Sequence, residues 1–165
     1  MGGTISVDSE CGLGSTFAFH VLLGVTQQLP EDAQYTTFDA SNQRLPKVLV
    51  VDDNVVNLVI MRKFLANLGI NADVAANGRE AIDLVQRHAF DLVFMDVQMP
   101  EIDGLTATRI IRELPLIVQP FIIALTANAF ETDRERCLAA GMNDFLSKPF
   151  LFDDIKNKLS SFWQA

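Results

Sequence analysis

Several side chains with useful chemistry stand directly after short apolar runs. Asp52-Asp53 follows Val48-Leu49-Val50-Val51, and Asp96 follows Leu92-Val93-Phe94-Met95. Thr126 follows Phe121-Ile122-Ile123-Ala124-Leu125, and Lys148 follows Phe145-Leu146-Ser147. If the runs are parallel strands of one sheet, these residues share one edge and converge on one pocket. Three carboxylates so placed repel one another, and a hard divalent cation such as Mg²⁺ relieves that by taking oxygen ligands. The reaction this set suits is phosphoryl transfer. A carboxylate oxygen attacks phosphorus to give an acyl phosphate, and the site supplies positive charge and fixed donors to the equatorial oxygens. Mg²⁺, Lys148 and the Thr126 hydroxyl answer that need, and an ionised Asp96 requires no general base.

The elements that must position these groups can be read from periodicity. The unbroken apolar run before Asp96 suits a central strand buried on both faces, ended by Met99-Pro100. Val48–Val51 reads as a second such strand. The helix after it carries Val55, Leu58, Met61, Leu65 and Leu68 at spacings of three and four, with Asn54 or Asp53 as its cap and Gly69 as its stop. A strand near 72–75, a helix near 79–87, a helix over 105–114, the strand 121–126 and a helix near 131–140 follow. A short strand from Phe145 to Pro149 precedes a closing helix with Leu151, Ile155, Leu159 and Phe162 on its inner face. Strand and helix alternate five times, which predicts an α/β fold with a parallel sheet wrapped by helices.

Composition narrows the function classes. The chain has 165 residues and a formal net charge of −8, which argues against a nucleic-acid or anionic-membrane surface. It holds no apolar run long enough to span a bilayer and no signal-peptide pattern at its start. Cys11 and Cys137 fit no metal or redox motif, so a reduced, cytoplasmic location is the expectation. His20 and His88 sit in no phosphodonor motif and read as structural or solvent-facing.

Ahead of this domain, residues 1–24 read as two strands about a turn at Cys11-Gly12-Leu13-Gly14-Ser15. Phe17, Phe19, Val21 and Leu23 share one face. Gly2-Gly3-Thr4-Ile5-Ser6-Val7-Asp8-Ser9-Glu10, followed by Gly12-Leu13-Gly14-Ser15-Thr16-Phe17, resembles the last two strands of a histidine-kinase ATP-binding domain. The ATP-contacting motifs of that family are missing, so the fragment is expected to lack ATP binding and kinase activity. Residues 25–46, rich in Gln, Asp, Thr, Ser and Asn, read as a linker.

Lys47 to Phe162 resembles the receiver domain of two-component response regulators, and residues 47–165 are expected to form that domain. The residues that carry the resemblance are Val51-Asp52-Asp53-Asn54, Met95-Asp96-Val97-Gln98-Met99-Pro100, Asp103-Gly104, Ala124-Leu125-Thr126-Ala127 and Ser147-Lys148-Pro149-Phe150. The resemblance implies a doubly wound, five-stranded sheet in the order 2-1-3-4-5. It implies Asp96 as phosphoacceptor from phosphohistidine, with Thr126 and Lys148 assisting. Asp53, Asp96 and the Gln98 backbone carbonyl would hold Mg²⁺, and Asp52 would act largely through water. A cis Lys148-Pro149 bond would aim the lysine inward, and Phe145 would sit at the family's aromatic switch position with Thr126. Asp52-Asp53-Asn54-x-x-Asn57 and the run Gly104–Arg109 look most like receivers fused to hybrid kinases. The implied partners are a kinase core and a histidine phosphotransfer protein.

Plainer readings exist for each part. Asp52-Asp53-Asn54 alone is a common helix cap, Lys148 alone a solvated strand end, and Phe145 an edge aromatic. A pseudo-receiver that only binds partners would not need the full acid, Thr and Lys set. A phosphatase of the haloacid-dehalogenase type would need a second Asp two residues after Asp96, where this chain has Gln98.

Overall fold

The computed structural model describes residues 3–10, 12, 14–21, 44–127 and 131–164. Cys11, Leu23 and most of the expected linker lie outside the described residues. The chain divides into two units, residues 1–34 and 35–165.

The first unit holds an antiparallel hairpin of β1 (Gly3–Glu10) and β2 (Gly14–Val21). Its register pairs Ile5 with Phe19 and Val7 with Phe17, so these four side chains share one face, as alternation predicts. All four are more than half exposed. Positive φ at Gly12 and Gly14 makes the turn, a conformation that costs glycine least.

The second unit contains β3 (Val48–Val51), α1 (Val55–Asn67), β4 (Asp73–Ala75), α2 (Gly78–Arg87), β5 (Leu92–Asp96), α3 (Gly104–Glu113), β6 (Phe121–Thr126), α4 (Glu131–Ala139), β7 (Asp144–Ser147) and α5 (Phe152–Gln164). All neighbouring strands pair in parallel, in the order β4-β3-β5-β6-β7. Counted within this unit, that is the expected 2-1-3-4-5. Side-chain alternation in β5 divides the core between two faces. Val93 and Met95 pack with residues of α2, α3 and α4, while Leu92 and Phe94 pack with α1 and α5. Every residue of β3 and β5 is buried, which explains their continuous apolar runs.

Three sequence expectations need correction. Val55 is largely exposed, whereas Leu58, Met61, Leu65 and Leu68 are buried as predicted. The strand beneath α1 ends at Val51, so the first helical turn has no apolar layer to cover. Leu151 is also exposed and lies just outside α5. Its backbone N–H donates to the Asp154 carboxylate (2.8 Å), the arrangement of a helix-starting residue, and Phe152 packs on the core instead. The last strand runs from Asp144 to Ser147, because its ladder with β6 begins at Ile123 and ends at Thr126. Lys148 and Pro149 therefore lie just beyond it.

One glycine ties the fold to the pocket. A Cβ on Gly104 would land on the backbone carbonyl oxygen of Asp96. The Gly104 N–H donates to Val97 O (3.1 Å), so the start of α3 is pressed against the end of β5. Asp103 caps the same helix through the Thr106 N–H (2.7 Å). Gly104→Ala is expected to destabilise the fold by about 1–3 kcal/mol through overpacking. Urea unfolding checks this, and an unchanged midpoint would mean that the contact relaxes freely.

Candidate phosphoryl-transfer site

Strand register builds the site. Val51 pairs with Met95, which puts Asp52 beside Asp96 at the strand ends. Asp96 pairs with Leu125, and Thr126 pairs with Ser147, so Thr126 and Lys148 emerge one step further along the same edge. The Lys148 N–H donates to Thr126 O (2.7 Å). The Lys148-Pro149 bond is cis.

At the centre is one ammonium between two carboxylates. Lys148 Nζ donates to Asp52 Oδ2 (2.7 Å) and Asp96 Oδ2 (2.8 Å). Asp52 and Asp96 are buried, while Asp53 is exposed. Ligand atoms of the three acids lie within 4.8 Å of one another. Three carboxylates against one lysine leave the cluster acidic, a donor set that fits a hard divalent cation. Asp53, Gln98, Thr126 and Ala127 line a cleft of about 390 Å³ beside it, together with Asp133 and Arg136 of α4. The structure thus brings Asp52, Asp53, Asp96 and Lys148 together and sets Gln98 and Thr126 along the same cleft.

Burial holds the Asp96 carboxyl above its ordinary range. The Lys148 hydrogen bond and charge act against that, and the Asp52 charge adds to it. For Lys148, burial alone would favour loss of the proton. Hydrogen bonds and charge from Asp52 and Asp96 outweigh that and hold the ammonium above its usual range. Lys148 is therefore a fixed cation at neutral pH.

Two contributors were not assigned roles from sequence. Asn57 donates to both oxygens of Asp52 (3.0 and 3.1 Å), and Gly104 backs the Asp96 peptide. Both residues stood within recognisable motifs, but their contacts are tertiary. Phe145 is half-buried, with Arg134 and Lys158 over its ring at 5.5 and 5.2 Å from the centroid. His20 and His88 are exposed, and Cys137 is a buried free thiol.

The raised Asp96 carboxyl has a consequence for stability. The folded state holds this proton more tightly than the unfolded chain does. The group's contribution to stability is therefore present at low pH and lost as pH rises through the folded value. Metal-free Asp96→Asn is expected to be more stable than wild type at pH 7, because it removes a carboxylate whose ionisation burial disfavours. The gap should close as pH falls below the ordinary carboxylate value of 3.8. Denaturant unfolding across pH checks this, and a gap that widens in acid would contradict it.

Comparison with known proteins agrees with this geometry. The response regulator receiver domain family matches residues 48–160. The aerobic respiration control sensor protein ArcB of Escherichia coli is 36% identical over 168 residues, covering 100% of this chain and 21% of its own length. Hybrid signal transduction histidine kinase K of Dictyostelium discoideum is 38% identical over 170 residues, covering 96% of this chain and 14% of its own. The chain thus spans only a small part of these relatives. Among solved structures, the receiver domain of sensor histidine kinase PA1611 from Pseudomonas aeruginosa, with magnesium coordinated in its active site cleft, superposes with a TM-score of 0.68. It is 38% identical, with 74% of this chain and 100% of that one covered. The receiver domain of Ssk1 from Saccharomyces cerevisiae, crystallised with the histidine phosphotransfer protein Ypd1, gives a TM-score of 0.66 at 32% identity, covering 73% of this chain and 91% of its own. From residue 48 to residue 160, with its acid cluster, lysine and parallel sheet, this chain belongs to the response regulator receiver domain family.

Proposed function

We propose that the chain accepts a phosphoryl group on Asp96 from a phosphohistidine and passes it to a histidine phosphotransfer protein. The observation that carries this is the Asp96 carboxylate at the end of a fully buried strand, joined to Lys148 and backed by two further acids. An Asp96 oxygen attacks phosphorus as the P–N bond to the donor imidazole breaks. The electron pair of that bond returns to the ring nitrogen, which is left as neutral imidazole or takes a proton from water. Lys148, already on Asp96 Oδ2, meets a phosphoryl oxygen on the same carboxylate. Thr126 offers a hydroxyl from the neighbouring strand end. Asp53, Asp96 and the Gln98 backbone carbonyl are the groups that would hold Mg²⁺, and the ion when bound supplies positive charge to the phosphoryl oxygens. Asp52 serves this site through Lys148 and through water.

A docking face lies next to the acids. Val55, Val56, Val59 and Ile60 are exposed along α1, the helix that begins right after Asp52-Asp53-Asn54. Asn57, Ile60, Lys148, Pro149 and Phe150 line a groove of about 330 Å³ there. An apolar stripe beside the phosphoacceptor suits a partner helix that carries the histidine. The co-crystallised pair of a phosphotransfer protein and a receiver supports this class of partner.

The hairpin is read as the last two strands of a kinase ATP-binding domain, with residues 25–46 as linker and residues 47–165 as receiver. The match to ArcB over the whole of this chain supports that reading, and with it a hybrid-kinase parent. Phosphorylation is read as shifting the packing of the face built from β6, β7, α4 and α5 through Thr126 and Phe145. Hydrogen exchange over that face should change on phosphorylation, and unchanged exchange would remove the switch while leaving the transfer chemistry standing.

The direct test uses a radiolabelled histidine phosphotransfer protein as donor in Mg²⁺. Label should move to wild type and not to Asp96→Asn. Val59→Asp should slow this transfer about tenfold or more, since a charge in an apolar interface core costs at least about 1.4 kcal/mol. The same variant should react normally with a small phosphodonor such as acetyl phosphate. Wild type that takes no label from either donor would leave a pseudo-receiver as the better reading.

A further inference from the structure

We propose that Asn57 is a positioning residue for the phosphoacceptor, acting through Asp52 on Lys148; this rests on the phosphoacceptor reading above. The Asp52 side chain is 1% exposed and receives protein donors on both oxygens. Oδ1 accepts from the Asn54 N–H (2.9 Å) and Asn57 Nδ2 (3.0 Å), and Oδ2 accepts from Asn57 Nδ2 (3.1 Å) and Lys148 Nζ (2.7 Å). A carboxylate only accepts, so the amide must turn its NH₂ toward it. That donor lies across both oxygens and fixes the plane of the carboxylate. The same plane decides where Oδ2 holds Lys148, and Lys148 is in turn 2.8 Å from Asp96.

Helix capping does not account for Asn57. Asn54 already fills that role, accepting the Val56 N–H at 2.9 Å. Asn57 stands in the first turn of α1, where side chains lean back toward the helix start, and this brings its amide onto Asp52. Its removal leaves a buried carboxylate free to rotate away from Lys148. Asn57 thus keeps Asp52 as a partner of the lysine, much as outer groups orient the ligands of metal sites.

Asn57→Leu keeps the shape and removes the donor; Asn57→Ala is the second variant should the leucine form fail to fold. Each is combined with Lys148→Met. Phosphorylation by acetyl phosphate at saturating Mg²⁺ should slow about tenfold or more in the Asn57 variant, the usual size of such outer contacts. In the Lys148→Met background the same change should alter the rate less than about twofold. Urea unfolding of the four metal-free proteins provides a readout independent of activity. The Asn57 substitution should lower the folding equilibrium constant by a larger factor with Lys148 present than without it. Equal factors in both backgrounds, in rate and in unfolding, would overturn the proposal. A wild type that cannot be phosphorylated would remove the phosphoacceptor reading, and the metal-free cycle would still decide the role of Asn57.

Discussion

One ammonium between two buried carboxylates is the interaction on which the site depends. Asp52 and Asp96 stand side by side because their strands are neighbours in register, and burial makes their mutual repulsion expensive. Lys148 offsets that repulsion from the far end of the sheet order, reaching both acids from beyond β7. Three carboxylates against this one ammonium leave a net negative charge, with Asp53 exposed to the cleft. That residual charge is what equips the cluster to draw a cation and then a phosphoryl group.

The fold supplies the precision this balance requires. Parallel pairing of β3, β5, β6 and β7 fixes each functional residue within a step of its neighbour. Layers of apolar side chains on both sheet faces keep the strands from sliding. Gly104 lets α3 close directly on the Asp96 peptide, and Asn57 holds the partner acid from α1. Both faces of the sheet therefore brace the same strand edge. Stability and chemistry share these contacts, so a substitution here shifts both.

Much of this was legible from sequence, for a physical reason. A strand buried on both faces must be continuously apolar, so Leu92–Met95 and Val48–Val51 announced themselves, and the polar residue after each marked a strand end. In the structure Asp96 and Thr126 end their strands, Asp52-Asp53 follow β3, and Lys148 follows the partly buried β7. Periodicity failed where it ran past the core. Val55 and Leu151 keep helical spacing with buried residues, yet one covers the first turn beyond the sheet and the other precedes its helix. Asn57 and Gly104 carried motif resemblance but no stated role, because a hydrogen bond to a distant carboxylate and a close backbone approach arise only when the layers meet. The cation pair over Phe145 was hidden for the same reason.

A competent phosphoacceptor site built around Asp96 must respond to a phosphoryl mimic in the presence of Mg²⁺. Its most direct test is a set of amide spectra of wild type and Asp96→Asn, with and without Mg²⁺ plus beryllofluoride, which mimics a phosphoryl group on a carboxylate. Wild type should show shifts at Asp53, Asp96, Thr126 and Lys148 that the variant lacks. No Mg²⁺-dependent change in wild type would contradict the account and make the acid cluster a structural feature alone.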